Sequence, residues 1–179
     1  MQIIQTFIDN LFLIEVDIFN DSRGKFIKTI HSEIFSVNGL DSNFKESFFS
    51  ISGKNVIRGM HFQTPPQEHN KLVSLIKGRI IDIVLDIRRE STTYGKYFSI
   101  ELNSRNRKSL YIGTGLAHGF VSLEDDTIVE YHTTTVHSAK SESGILYNSF
   151  GYDWNIDNPI ISERDLGFLE MKHFDTPFI

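Results

Sequence analysis

The chain has 179 residues, 40% of them hydrophobic and 12% aromatic, with no cysteine and a formal net charge of −5. A chain this long buries roughly 70% of the surface its unfolded form exposes, so one core suffices, and the lack of thiols removes disulfide scaffolds, zinc ribbons, iron–sulfur clusters and cysteine nucleophiles together. Dispersed basic residues and mild acidity speak against a nucleic-acid partner, no apolar run approaches the roughly 20 residues of a membrane span, and residues 1–19 lack the basic start and apolar core of a signal peptide, so a cytoplasmic protein with no membrane partner is expected.

In chain order, short β-branched and aromatic runs occupy residues 3–14, 24–29, 47–51, 55–60, 72–76, 79–87, 97–102, 109–112, 119–123, 127–131 and 144–147, with Gly and Pro falling singly at their borders. Two short helices are expected, over 32–35 before Asn38-Gly39 and over 162–165 with Ser162 as N-cap. Many short strands without long amphipathic helices predict an all-β sandwich or barrel, one domain spanning 1–179. The run 79–88 alternates most clearly. Ile81, Ile83, Leu85 and Ile87 share one face, and Ile80, Asp82, Val84 and Asp86 share the other. That second face is either a solvated surface or the wall of a ligand cavity.

Three segments concentrate polar chemistry. Residues 58–72 place Arg58, His61, Gln63 and Lys71 around a Pro-Pro turn. Period 2 sets Arg58 with Met60 and leaves His61 and Gln63 flanking the other face, so the four groups do not converge from one strand. His61 is either hydrogen-bonded within the fold or functional. A metal held by His61 and His69 would need a further carboxylate and a later histidine, and no His-x-His is present. Residues 112–120 are glycine-rich but lack a following helix or a Gly-Lys-Ser/Thr, which rejects a phosphate loop and leaves a tight turn leading to His118. In 131–137, alternation puts Tyr131, Thr133, Thr135 and His137 on one face, a surface costly to bury unpaired that a solvated edge strand would also explain.

Taken together and in order, Asp21-Ser22-Arg23-Gly24, Val56 to Gln63, Lys71-Leu72-Val73, Asp82 to Arg88, Tyr94-Gly95, Ala117-His118-Gly119-Phe120, Tyr131, Leu146-Tyr147-Asn148 and Ile161 to Asp165 resemble the dTDP-4-dehydrorhamnose 3,5-epimerase family over roughly residues 5–168. The resemblance implies a cupin-type jelly roll, a homodimer, no metal or redox cofactor, and a nucleotide-linked 4-keto-6-deoxy sugar as substrate. By similarity His61 is the base, Asp165 the carboxylate that orients it, Lys71 the cation beside the keto oxygen and Tyr131 the proton donor. These residue types suit removal and return of a proton next to a ketone. Asp165 also fits a local role, closing a capping pair with Ser162. Arg23 and Arg58 match arginines that grip a diphosphate or position the sugar, and His118 lines the cavity with Asp82 on the facing strand. Phe26 and Gln63 join the substrate-binding set.

The chain departs from the family pattern at Lys28, where an acid is usual, at Glu46 and Phe48, which replace Gln and Asn, and at Val136 and His137, where aromatic residues are expected. These positions are read as contacts that select the substrate. Epimerisation at C3 and C5 leads; the alternatives are a single-centre epimerase on another nucleotide sugar, a 3,4-ketoisomerase, and a catalytically silent sugar-nucleotide binder.

Overall fold

The computed structural model describes residues 1–179. Thirteen strands follow in the order β1 (Gln2–Gln5), β2 (Leu11–Glu15), β3 (Ile18–Asp21), β4 (Gly24–Ile27), β5 (Glu46–Ser52), β6 (Ile57–Gln63), β7 (Lys71–Lys77), β8 (Arg79–Asp86), β9 (Tyr97–Asn103), β10 (Lys108–Ile112), β11 (Leu116–Ser122), β12 (Thr127–Thr133) and β13 (Glu142–Gly144). Helix α1 (Ser32–Val37) sits between β4 and β5, and α2 (Glu163–Leu166) lies near the C-terminus. Ser162 caps α2 as expected, its hydroxyl accepting from the Asp165 N–H at 3.2 Å. The strand β3 is absent from the sequence expectation, and the 3–14 run divides into β1 and β2.

Two antiparallel sheets face each other. One runs β1-β2-β10-β7-β12-β5, the other β13-β6-β11-β8-β9, and β3-β4 forms a separate hairpin. This is the jelly roll that the family resemblance implies. The interlayer core draws Leu11, Val73, Leu110 and Val129 from the first sheet and Ile80, Val84, Leu102 and Phe120 from the second. Each sheet is also covered outside. Phe35 and Leu40 pack with Ile14, Leu72 and Tyr111 of the first sheet, while Trp154 and Phe178 of the C-terminal segment pack with Ile57, Ile83, Leu85 and Val121 of the second. No helix is long and apolar enough to cross a membrane.

This double covering settles the two faces of β8. Ile83, Leu85 and Ile87 pack under the C-terminal segment, while Ile80, Asp82, Val84 and Asp86 are fully buried on the inner side. The second face is interior, and neither carboxylate is solvated.

The expected parity of β6 is overturned by a bulge. Against β11, His61 pairs with His118 and Arg58 with Phe120, so three steps on β6 are matched by two on β11. The extra residue rotates the strand and brings Arg58 and His61 to the same cavity. Gly59 makes this possible. Its φ is +139°, and a Cβ there would lie 2.5 Å from the Gly119 Cα, a position that only glycine tolerates. The strand carrying Tyr131 is likewise not an edge, since β12 is paired on both sides, with β7 and β5.

Candidate active site

A cavity of about 330 Å³ lies between the sheets. Strand β6 supplies Arg58, His61 and Gln63 to its walls, β11 supplies His118, β7 supplies Lys71, β12 supplies Tyr131, and β5 supplies Glu46, Phe48 and Ser50. His61 and Tyr131 therefore reach the same space from opposite sheets.

His61 and Asp165, 104 positions apart in sequence, are joined at 2.9 Å through Nε2 and Oδ1. The second carboxylate oxygen accepts from the Gly59 N–H at 3.1 Å. Burial pushes the Asp165 carboxyl up, but His61, the Gly59 N–H and Arg164 outweigh it and hold the group well below the usual carboxylate range. Asp165 is thus an anion aimed at one imidazole nitrogen. The His61 ring packs edge-on against Phe168 at 5.7 Å, the aromatic support that position 136 does not provide. A Cβ on Gly144 would strike the Phe168 ring at 2.3 Å, so this glycine makes room for it. Burial holds His61 below its ordinary value of 6.5, with Asp165 opposing the shift and the cations Lys71 and Arg164 adding to it. The imidazole is neutral at physiological pH. Asp165, an acceptor only, selects the tautomer with its proton on Nε2, which leaves Nδ1 the free lone pair and makes the Arg164 guanidinium, a donor only, a close neighbour of Nε2 rather than its hydrogen-bond partner.

Arg164, which the sequence reading passed over, lies with Nη2 3.0 Å from the same His61 nitrogen. Its guanidinium also donates to Asp165 Oδ1 at 3.1 Å and to Glu142 Oε1 at 2.6 Å. Glu142 in turn lies 3.4 Å from His137, whose backbone N–H donates to Glu46 at 2.8 Å. Two of the departures, Glu46 and His137, are therefore tied to each other and, through Glu142 and Arg164, to His61. Adjacency to Asp165 was the one signal that pointed to Arg164; a three-residue strand gave none for Glu142.

On the opposite wall, Lys71 is buried and its ammonium is pushed down to about 8 by burial, with Asp82 pulling it back. Asp82 bonds His118 at 2.9 Å; burial raises its pKa, His118 and Lys71 offsetting part of the rise. Tyr131 stacks on Phe48 at 4.9 Å and meets the Ser50 hydroxyl at 3.3 Å. Burial raises its phenol well above 10, so it holds its proton until a strong base forms beside it. Arg58 is anchored by Nε to Ser52 Oγ at 3.0 Å and by Nη2 to the Ile51 carbonyl at 3.3 Å.

Gln63 borders the cavity but uses its amide inside the chain. Its oxygen accepts from the Ser138 N–H at 2.6 Å and its nitrogen donates to the Gln67 carbonyl at 2.7 Å. Arg23, Phe26 and Lys28 are not brought to this cavity. They sit on or just beyond the β3-β4 hairpin, Arg23 paired with Asp21 at 2.6 Å and Phe26 62% exposed. No group of three His, Cys, Asp or Glu is arranged to hold a metal ion.

A model of the dTDP-4-dehydrorhamnose 3,5-epimerase family matches residues 5–173. The curated dTDP-4-dehydrorhamnose 3,5-epimerase of Methanothermobacter thermautotrophicus is 38% identical over 174 residues, 94% of each chain. Among solved structures, the enzyme of that name from Sulfolobus tokodaii superposes with a TM-score of 0.90 at 38% identity, over 96% of both chains. A dTDP-6-deoxy-D-glucose-3,5-epimerase from Legionella pneumophila, in complex with dTDP-4-keto-L-rhamnose, gives a TM-score of 0.91 at 32% identity over 97% of this chain and 94% of that one.

Proposed function

The chain belongs to the dTDP-4-dehydrorhamnose 3,5-epimerase family, and from that premise we propose how its residues divide the reaction. The enzyme is an isomerase that inverts C3, C5 or both in a nucleotide-linked 4-keto-6-deoxy sugar, a step of deoxysugar biosynthesis. The observation that carries the assignment of roles is the placement of His61 and Tyr131 on opposite sheets around one cavity. Inversion needs a proton taken from one face of the carbon and a proton returned to the other.

His61 Nδ1 removes the proton next to the ketone. The bonding pair moves into the C–C bond as the C4 carbonyl becomes an enolate, and the imidazolium that forms is stabilised through Nε2–H by Asp165. The Lys71 ammonium faces the developing oxyanion, favouring the transition state in a site largely shielded from water. Tyr131 donates its phenolic proton to the opposite face of the carbon as the carbonyl re-forms. The unbonded edge of the Arg58 guanidinium, with Arg164, provides planar donors for the diphosphate.

The test is solvent deuterium incorporation at C3 and C5 of dTDP-4-keto-6-deoxyglucose, followed by NMR. His61→Ala abolishes both exchange and inversion. Tyr131→Phe blocks inversion while the retained base still washes deuterium into the substrate. No exchange by the unmodified enzyme with any nucleotide-linked 4-keto sugar would refute the reading.

We also take the protein to be a homodimer. The hairpin carries Phe19 and Phe26 at 57% and 62% exposure, and the edge strand β5 presents Phe49 and Ile51 at 66% and 55%. A second copy would cover such apolar area.

A further inference from the structure

We infer that Ser50 is a positioning residue for the return of the proton: its hydroxyl donates to Tyr131 Oη, which turns the phenolic proton toward the sugar carbon and holds the phenolate left behind when that proton goes. The inference rests on the reading of Tyr131 as the proton donor, and it adds a residue outside the motifs that carry the family resemblance.

Strand register puts the two hydroxyls together. Tyr131 of β12 lies opposite Phe48 of β5, and Val129 lies opposite Ser50. Residues two apart on a strand share a face, so Phe48 and Ser50 stand on the same side of β5, and Ser50 is the diagonal neighbour of Tyr131, within reach of a long side chain. Phe48 stacks on the Tyr131 ring with centroids 4.9 Å apart and planes 16° apart, which fixes the ring plane. Ser50 Oγ, 3.3 Å from Oη, meets the hydroxyl end. Both residues border the cavity. The next serine on that face, Ser52, holds Arg58 in the same way, its Oγ accepting from Nε at 3.0 Å.

The chemistry fixes the direction of the bond. Each hydroxyl carries one proton. If Tyr131 gives its own to Ser50, none is left for the carbon; with Ser50 as donor, the phenolic proton is free to leave into the cavity. As it leaves, the O–H bonding pair stays on Oη, the enolate's C–C π pair forms the new C–H bond and the C4 carbonyl re-forms. Water then returns a proton to the phenolate and takes one from the His61 imidazolium, which restores both groups. A phenolate here is costly. Burial raises the Tyr131 phenol well above 10, opposed first by the Ser50 hydrogen bond and then by the Arg58 charge, while the Asp82 charge adds to the rise. Ser50 is the one hydrogen-bond partner that the chain gives Oη. A hydrogen bond to an ion is stronger than one to a neutral oxygen, so the contact strengthens as charge develops in the transition state.

The experiment measures inversion and deuterium exchange side by side, with dTDP-4-keto-6-deoxyglucose in heavy water and the full-length protein. Ser50→Ala is expected to lower kcat for inversion roughly ten- to hundredfold with KM little changed. Exchange at the same carbons, which draws on His61 and Lys71, changes far less, so the ratio of exchange to inversion rises. Ser50→Thr, which keeps the hydroxyl on a side chain that strands favour, recovers most of the loss. Three results for Ser50→Ala overturn the inference: unchanged inversion, an equal loss of exchange and inversion such as a merely structural role would give, or a rise in KM alone such as a direct contact with substrate would give. Inversion retained by Tyr131→Phe overturns the reading of Tyr131 as the acid, and the role of Ser50 with it. A Tyr131→Phe enzyme that loses inversion beside a Ser50→Ala enzyme that keeps it defeats the inference alone.

Discussion

In the proposed reaction, one neutral and one charged group on facing walls set the working pH of the cavity. His61 must be neutral to accept a proton, and burial holds it below 6.5, so kcat/KM rises with pH through a value below that. Lys71 must be charged to meet the enolate, and its ammonium titrates at about 8, so activity falls as pH passes that point. A bell-shaped profile is expected, measurable by initial rates from pH 4.5 to 9.5. Lys71→Arg keeps the cation beyond the range of lysine and should move the alkaline limb upward while lowering the maximum, since the guanidinium fork does not match the ammonium's geometry. Asp165→Asn removes the anion that fixes the His61 tautomer, and kcat should fall roughly thousandfold or more with KM little changed. The residues proposed as base, carboxylate, lysine and acid were marked in the sequence by ordered short motifs. Glu142 and Phe168 were not, because nothing in their local spacing marks them, and Arg164 was marked only by its place beside Asp165; all three matter through contacts that the chain makes only after folding.

At the scale of the element, β6 shows why alternation alone misplaced a residue. Period 2 separates Arg58 from His61, and a single extra residue against β11 brings them together. Gly59→Ala would place a methyl 2.5 Å from the Gly119 backbone at a φ of +139°. A loss of about 2 kcal/mol or more is expected in urea titration, and turnover should drop further than stability explains, because the bulge aims both side chains. A second element-level device follows β8. Asp86, fully buried, accepts from Arg88 at 2.8 Å, from Ser91 at 2.6 Å and from Thr93 at 2.6 Å. Burial alone would raise its pKa, yet these partners hold it below the usual range. Asp86→Ala strands the Arg88 guanidinium, only 12% exposed, and should cost about 3–5 kcal/mol, seen as a drop of roughly 10 °C in the melting temperature. The alternation in 79–88 told which residues of this strand stand together, but not that both sides are covered. The covering for its outer face comes from Trp154 and Phe178, far along the chain.

For the whole molecule, the unclaimed apolar surface and the unplaced residues coincide. Arg23, Phe26 and Lys28 lie on or beside a hairpin that leaves this chain's cavity alone, and the hairpin's aromatic rings face outward. Pairing of β3 with β4 was not foreseen, although Asp21-Ser22-Arg23-Gly24 has the composition of a turn. Phe26→Asp is expected to shift sedimentation from a dimer to a monomer without changing the circular dichroism of the sheets. A dimer that persists unchanged would remove the hairpin from the interface.

The proposed division of labour between the sheets has a mechanical consequence. Backbone ladders make each sheet stiff, but what spaces His61 from Tyr131 is interdigitated side chains such as Val73, Val84, Phe120 and Val129. The gap across which the proton is lost and regained is therefore maintained by the softer, more temperature-sensitive part of the molecule. On slow heating, inversion should fade several degrees before the strands melt, and solvent exchange, which needs Lys71 across the same gap, should fade with it.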